Sequence, residues 1–333
     1  MSSVKVTTPG LFTTVQDFGR IGYQRFGVPV AGVFDRFAAS VANWLVGNEA
    51  NTAVLEVSYL GPTLTSDVEL QAAITGGAAA TLDGEAVPCY QTFTWRPGQV
   101  LALGGLLSGV RAYLAVGGGW QVPQVMNSSA TYVRASLGGY QGRQLQAGDE
   151  LSVQPCEPVQ PRRLPRAFWP VVRQSVRLRY VPGPQEDHFT PATVELFRSS
   201  TYQVAPASDR MGIRLQGTAV TPEIPDIVSD AIVLGSIQIP KDGQPIIMGP
   251  DHQTTGGYPK IGTVLCADMN QLAQLRPGAS VSWQAISVDM ARQVSLAETA
   301  FQLHVKQVVL GKRTGREYRV RFNEQDYYGF VER

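Results

Sequence analysis

The sequence predicts a mainly β protein, folded as a sandwich or barrel with a few short helices. Three observations carry this. Short apolar runs with alternation recur along the chain: "VELQAAIT" (68–75), "VRAYLAVGG" (110–118), "VRLRYVPG" (176–183) and "REYRVRF" (316–322). The 34 glycines and 22 prolines are spread between such runs, where they break the chain into short strands. A turn-and-strand unit also recurs, in "RPGQVLAL" (96–103), "QAGDELSV" (146–153) and "RPGASVSW" (276–283).

In each repeat a glycine (Gly98, Gly148, Gly278) precedes a strand with one apolar face, formed by Leu101/Leu103, Leu151/Val153 and Val281/Trp283. Two copies lie in the first half of the chain and one in the second, which hints at a shared architecture. In "REYRVRF", Tyr318, Val320 and Phe322 alternate with arginines, the pattern of a half-buried strand.

Helices are expected at four places. Residues 35–48 begin at Asp35, a candidate N-cap, and place Ala38, Val41, Ala42 and Leu45 on one face before Gly47. Thr190-Pro191 opens a second as an N-cap and N1 pair. "DMNQLAQL" (268–275) is a third. Residues 287–301 place Met290, Val294, Ala297 and Phe301 on one face of a fourth. The proline-rich stretch 154–170 reads as a linker. The expected domains are therefore 1–160, 161–290 and a helical and β-strand tail, 291–333.

Bulk composition narrows the function. The chain has 333 residues, 28 basic and 27 acidic side chains and a net charge of +1. That length suggests two domains, and the neutral balance gives no reason to expect nucleic acid or an acidic membrane as partner. No apolar run approaches the roughly 20 residues of a membrane helix, and "MSSVKVTTPG" lacks the apolar region of a secretory signal. A cytoplasmic protein is expected. Cys89, Cys156 and Cys266 are far apart and are read as buried or half-buried thiols. There is no GxxxxGK[ST], no GxSxG, no HExxH, and His188, His252 and His304 are too scattered for a local metal site. No metal site is expected.

Three polar clusters remain. "TVQDFGRIGYQRFGVPVAGVFDR" (14–36) gathers Gln16, Asp17, Arg20, Tyr23, Gln24, Arg25, Asp35 and Arg36, either as a solvated loop or as part of a site. "SDRMGIRL" (208–215) sets Ser208, Asp209, Arg210 and Arg214 around a glycine. Two guanidinium groups can grip a carboxylate or phosphate, or a local acid–arginine pair can close a turn. In "PIIMGPDHQTTGGYP" (245–259) a strand stops at Gly249-Pro250 and is followed by Asp251, Gln253, Thr254, Thr255 and Tyr258. Gly256 and Gly257 would let backbone N–H groups approach a ligand closely. So many hydrogen-bonding groups at a strand end suit a small polar substrate.

"TVQDFGRIGYQRFGVP", "SDRMGIRL" and "IQIPKDGQPIIMGPDHQTTGGYP", with residues 113–149, resemble the KipA-type family, the C subunits of prokaryotic ATP-dependent 5-oxoprolinase. That family also carries the descriptions biotin-dependent carboxyltransferase and allophanate hydrolase subunit 2, and is similar to part of the carboxyltransferase domain of urea carboxylase. The match runs from about Pro9 to about Ser287. Phe34 and His252 are local departures, and the tail 305–333 has no counterpart in the family pattern.

The resemblance implies two cyclophilin-like β-barrel domains, the B-type (KipI-type) and A-type 5-oxoprolinase subunits as partners, and ATP-driven hydrolysis of 5-oxo-L-proline to L-glutamate, with Mg accompanying ATP. On that basis Asp251, Gln253, Thr254, Thr255 and Tyr258 are the catalytic candidates. Arg210, Arg214, Ser208, Asp209, Gln238, Gly256 and Gly257 are substrate-binding candidates, with Asp17, Arg20 and Asp35 behind them. Two alternatives stand beside this. One is carboxyl transfer from carboxybiotin to urea or another amide, which needs biotin and a biotin carboxylase. The other is a non-catalytic KipA-type regulator that binds a KipI-type kinase inhibitor.

Overall fold

Alternating apolar side chains give two separate β units in the structure, a computed structural model that describes residues 2–154, 156–322 and 325–332. The first unit comprises residues 1–17, 36–171 and 299–333; the second comprises 18–35 and 172–298. The expectation of a mainly β chain with two barrel-like sheets and few helices holds. The division falls at residue 171, past the expected boundary at 160. It also assigns 18–35 to the second unit and the end of the chain to the first, exchanges that a linear reading of composition does not see.

In the first unit, a ten-stranded sheet is organised around the long strand Val100–Val116. One edge of that strand pairs with Thr63–Ser66 and Val54–Ser58, and the other with Leu70–Leu82. Register shifts at Gly76, Gly77 and Ala78 bend this last pairing, as bulges do. Val4, Val6, Leu55, Leu64, Ile74, Trp95, Leu101, Leu114 and Leu151 fill the core. Helix α1 (Arg36–Leu45) lies against the sheet with every residue after Arg36 buried.

In the second unit, seven strands close a barrel in the order Ser175–Pro182, Lys260–Val264, Ser236–Gln238, Ile246–Met248, Gly212–Gln216, Tyr202–Val204 and Ser280–Ala285. The last strand returns to the first as a parallel neighbour. Val176, Leu178, Ile213, Ile237, Ile247, Ile261 and Val281 point inwards, and Tyr180, Phe197, Tyr202 and Trp283 stack together at the core. Helix α2 (Pro191–Ser199) begins as expected, because the Thr190 side chain accepts a hydrogen bond from Thr193 N at 3.0 Å. Helix α3 is Cys266–Leu272.

All three repeated turns are present. Gly98, Gly148 and Gly278 have φ of +80°, +90° and +85°, the left-handed region that favours glycine. The six apolar residues that follow them are buried.

Three expectations need correction. Helix α4 is longer than expected (Val288–Val309), and its buried residues are Val305, Val308 and Val309. Met290 and Phe301 are 50% and 42% exposed, since the sustained apolar packing begins only at the helix's last turns. The terminal hairpin, Gly315–Phe322 with Gln325–Glu332, has the expected period but the opposite face inward: Tyr318 and Val320 are exposed. Phe330 and Tyr328 of the returning strand supply the inner face, against Phe168 and Arg166. Cys156 and Cys266 are exposed instead of buried, whereas Cys89 is half-buried and burial pushes its thiol up to about 11. Among the described residues no helix is long and apolar enough to cross a membrane.

Candidate carboxyltransferase-family site

The strand Ile246–Met248 delivers residues 249–258 at one end of the barrel. The first part of that segment turns inward. Asp251 is buried, and both of its oxygens accept from Arg210: Nε to Oδ2 at 2.9 Å and Nη2 to Oδ1 at 2.8 Å. This is a bidentate, charge-assisted pair with little solvent access. Arg210 Nη2 also donates to Gly32 O at 2.6 Å, and Ala31 N donates to Pro250 O at 3.0 Å. The segment 18–35 is thereby tied to the Arg210–Asp251 pair. Within that segment Arg20 is buried with its N–H on Val30 O, and Asp35 accepts from Gln274 Nε2 at 2.8 Å. His252 is buried too. Its Nδ1 donates to Gln253 O at 2.6 Å, and desolvation by burial lowers its pKa from 6.5, so the ring is held neutral.

The second part of the segment turns outward into a short ribbon. Thr255 and Gly256 pair with Ala231 and Asp230. Ile232 N donates to Thr254 O, and Ile227 N to Gly257 O. The ribbon covers polar residues on the outer face of the barrel. Ile237 and Ile261 belong to the core, so their neighbours Gln238 and Lys260 point the other way and oppose one another across two strands. Lys260 Nζ donates to Asp230 Oδ2 at 2.6 Å, Gln185 Nε2 to the same oxygen at 3.1 Å, and Lys260 N to Gln185 Oε1 at 3.3 Å. The Lys260 ammonium beside it holds the Asp230 carboxyl below its usual range. A Cβ on Gly256 would stand 2.6 Å from Gln238 Nε2, so only glycine lets the ribbon lie this close.

Chemically, the arrangement offers a buried ion pair that fixes backbone at the barrel's end, and beside it an ammonium and two carboxamides under a polar ribbon. Residues 26–285 match the family described as carboxyltransferase domain, subdomain A and B. The chain belongs to that family. It is also 35% identical to the C subunit of 5-oxoprolinase from Escherichia coli K12, over 90% of this chain and 99% of that one. The Haemophilus influenzae protein of the same name is 35% identical over 89% and 95%. Among solved structures, the Kluyveromyces lactis urea amidolyase superposes with a TM-score of 0.86 at 28% identity. The match covers 91% of this chain and 20% of that much longer one.

In this carboxyltransferase-family chain the residues singled out in the sequence fall into separate groups. Arg210 and Asp251 meet. Arg214 does not join them: it lies on the exposed face of Gly212–Gln216, and its N–H donates to Ser208 Oγ. Asp209 Oδ1 accepts from Met211 N and Gly212 N, closing the turn locally. Thr255 and Tyr258 are exposed on or beside the ribbon, while Gln253 and Thr254 are half-buried. Asp17 belongs to the other unit, where its carboxylate accepts from Ser128 Oγ and Ser129 N, each at 2.6 Å. The opening cluster is not a solvated loop throughout, because Asp17, Arg20 and Asp35 are all buried.

Sequence reasoning did not find Lys260, Asp230 or Gln185. A lysine on the outward register of an apolar strand was the available signal for Lys260. Asp230 and Gln185 lie in irregular stretches with no period to place them. Among the described residues no group of three or more His, Cys, Asp or Glu side chains could hold a metal ion.

Proposed function

We propose that this chain is the C subunit of an ATP-dependent 5-oxoprolinase that hydrolyses 5-oxo-L-proline to L-glutamate together with A- and B-type partner subunits. The carrying observation is the near end-to-end match to the Escherichia coli C subunit, 90% of this chain against 99% of that one. Fusion to a much larger enzyme does not underlie this likeness, unlike that to urea amidolyase.

The chemistry suits a protein with clustered polar groups and no complete catalytic unit. A lactam amide is a poor electrophile. ATP supplies a phosphoryl group to the amide oxygen, which makes the ring carbon open to water; phosphate then leaves and the ring C–N bond breaks. In this chain the ribbon and its surroundings would bind and orient the lactam. Gln253, Thr254, Thr255 and Tyr258 offer hydrogen bonds, and the backbone at Gly256 and Gly257 can face developing negative charge. Asp251 serves as a positioning residue: with both oxygens on Arg210, its lone pairs are committed, and it fixes the origin of the ribbon instead of taking a proton.

The test is co-expression with A- and B-type subunits, co-purification, and an assay for glutamate released from 5-oxo-L-proline. Release that needs ATP and stops when this chain is omitted supports the reading. A complex that forms but releases no glutamate rejects it. A second reading, carboxyl transfer to urea or a related amide, draws on the TM-score of 0.86 with urea amidolyase. It requires biotin carried by another protein, and the same buried face would then present the acceptor amide.

A further inference from the structure

On the outer face of the second unit, four residues close a ring. Gln238 opposes Lys260 across two strands, Lys260 bonds Asp230, Asp230 pairs with Gly256, and Gly256 lies against Gln238. Exposure within the ring is uneven. The Lys260 side chain is 5% exposed, whereas that of Asp230 is 46% exposed. Gln238 is 2% exposed, and its Nε2 has no acceptor among the described residues. Buried amide donors are nearly always satisfied, so an open one beside a buried ammonium indicates an acceptor that arrives from outside.

We propose that Lys260 and Gln185 form the seat for a substrate carboxylate, that Gln238 Nε2 takes the adjoining carbonyl, and that the Asp230 carboxylate fills this seat as an internal stand-in. Exchange of one carboxylate for another leaves the buried ammonium paired throughout, which avoids the cost of an isolated buried charge. Asp230 is the mobile partner because it is on the short ribbon and half in solvent, while Lys260 is on the barrel wall. A cyclic acid amide carries both groups the seat would take, a carboxylate and a lactam carbonyl. The choice of that substrate class rests on the oxoprolinase reading; the seat for a small carboxylate does not.

The two are tested separately. Binding to the purified full-length chain is measured by calorimetry with 5-oxo-L-proline and with 2-pyrrolidinone, which lacks the carboxylate. The seat predicts binding of 5-oxo-L-proline at least tenfold tighter than of 2-pyrrolidinone. It predicts at least tenfold weaker binding for Lys260→Met and Gln238→Leu, and tighter binding, about threefold or more, for Asp230→Ala, which removes the competitor. A latch that merely held the ribbon would not give opposite signs for Lys260→Met and Asp230→Ala. If Lys260→Met fails to fold, as judged by its circular dichroism, the Asp230→Ala arm decides. The seat is rejected if 5-oxo-L-proline does not bind, or if Asp230→Ala binds no better than wild type. An assembled complex that hydrolyses 5-oxo-L-proline with KM unchanged by Asp230→Ala likewise rejects the seat and leaves the oxoprolinase reading intact. A complex without turnover, with these binding differences present, rejects that reading and keeps the seat.

Discussion

Arg210 and Asp251 are 41 residues apart in sequence and bonded through two hydrogen bonds with almost no water around them. Removing one charge from such a pair strands the other. Asp251→Ala is expected to lower stability by about 3–5 kcal/mol, read from chemical denaturation midpoints. Asp251→Asn keeps the shape and should lower turnover in the assembled complex at least tenfold, about 1.4 kcal/mol of barrier. A positioning role leaves the pH dependence of the residual rate unchanged; loss of its acidic limb would identify Asp251 as a base instead. His252 gives a second residue-scale expectation. Its folded pKa lies below 6.5, so on acidification the unfolded chain binds a proton before the folded one does. Stability should therefore fall as pH drops below about 6.5 and be flat above it, and His252→Phe should reduce that slope. A slope unchanged in the variant would assign the acid sensitivity to other groups. The sequence placed Arg210 and Asp251 among the candidates because both sit in dense polar motifs, yet it held no distance between them. Arg214, equally prominent in the same motif, is separated from Arg210 by the alternation of a strand.

Single elements were legible wherever local rules decide the outcome. The Thr190-Pro191 start of α2 and the three glycine turns needed nothing beyond their own residues. Gly278→Ala places a Cβ at φ of +85° in open space, so conformation alone is tested. The cost should be about 1 kcal/mol, and Gly278→Asn should recover much of it, because asparagine tolerates the left-handed region. Equal losses for both variants in thermal melts would show that the turn is not the determinant. Elements whose inner face depends on a distant neighbour were misread. In the terminal hairpin the strand 315–322 alternates correctly, but Phe330 and Tyr328 opposite it decide which face packs, and no period within "REYRVRF" contains that information. The same holds for α4, where Met290 and Phe301 form a good apolar stripe that the fold leaves largely in solvent.

At the scale of the whole chain, composition and turn spacing revealed two β units, but their exchange of segments was not readable. Residues 18–35 join the second unit because backbone bonds such as Ala31 N to Pro250 O outweigh sequence proximity. The polar ring under the ribbon was hidden for the same reason, since Gln185, Asp230, Gln238 and Lys260 come from four separate stretches. Family membership adds what physics alone does not supply, the class of reaction, and it leaves two amide substrates in contention. They are separated most directly by supplying the purified complex of this chain and its partner subunits with each in turn. Glutamate and ADP formed one for one from 5-oxo-L-proline and ATP, with no product from urea and bicarbonate, is the predicted result. Bicarbonate- and biotin-dependent carboxylation of urea, with 5-oxo-L-proline left intact, would contradict it.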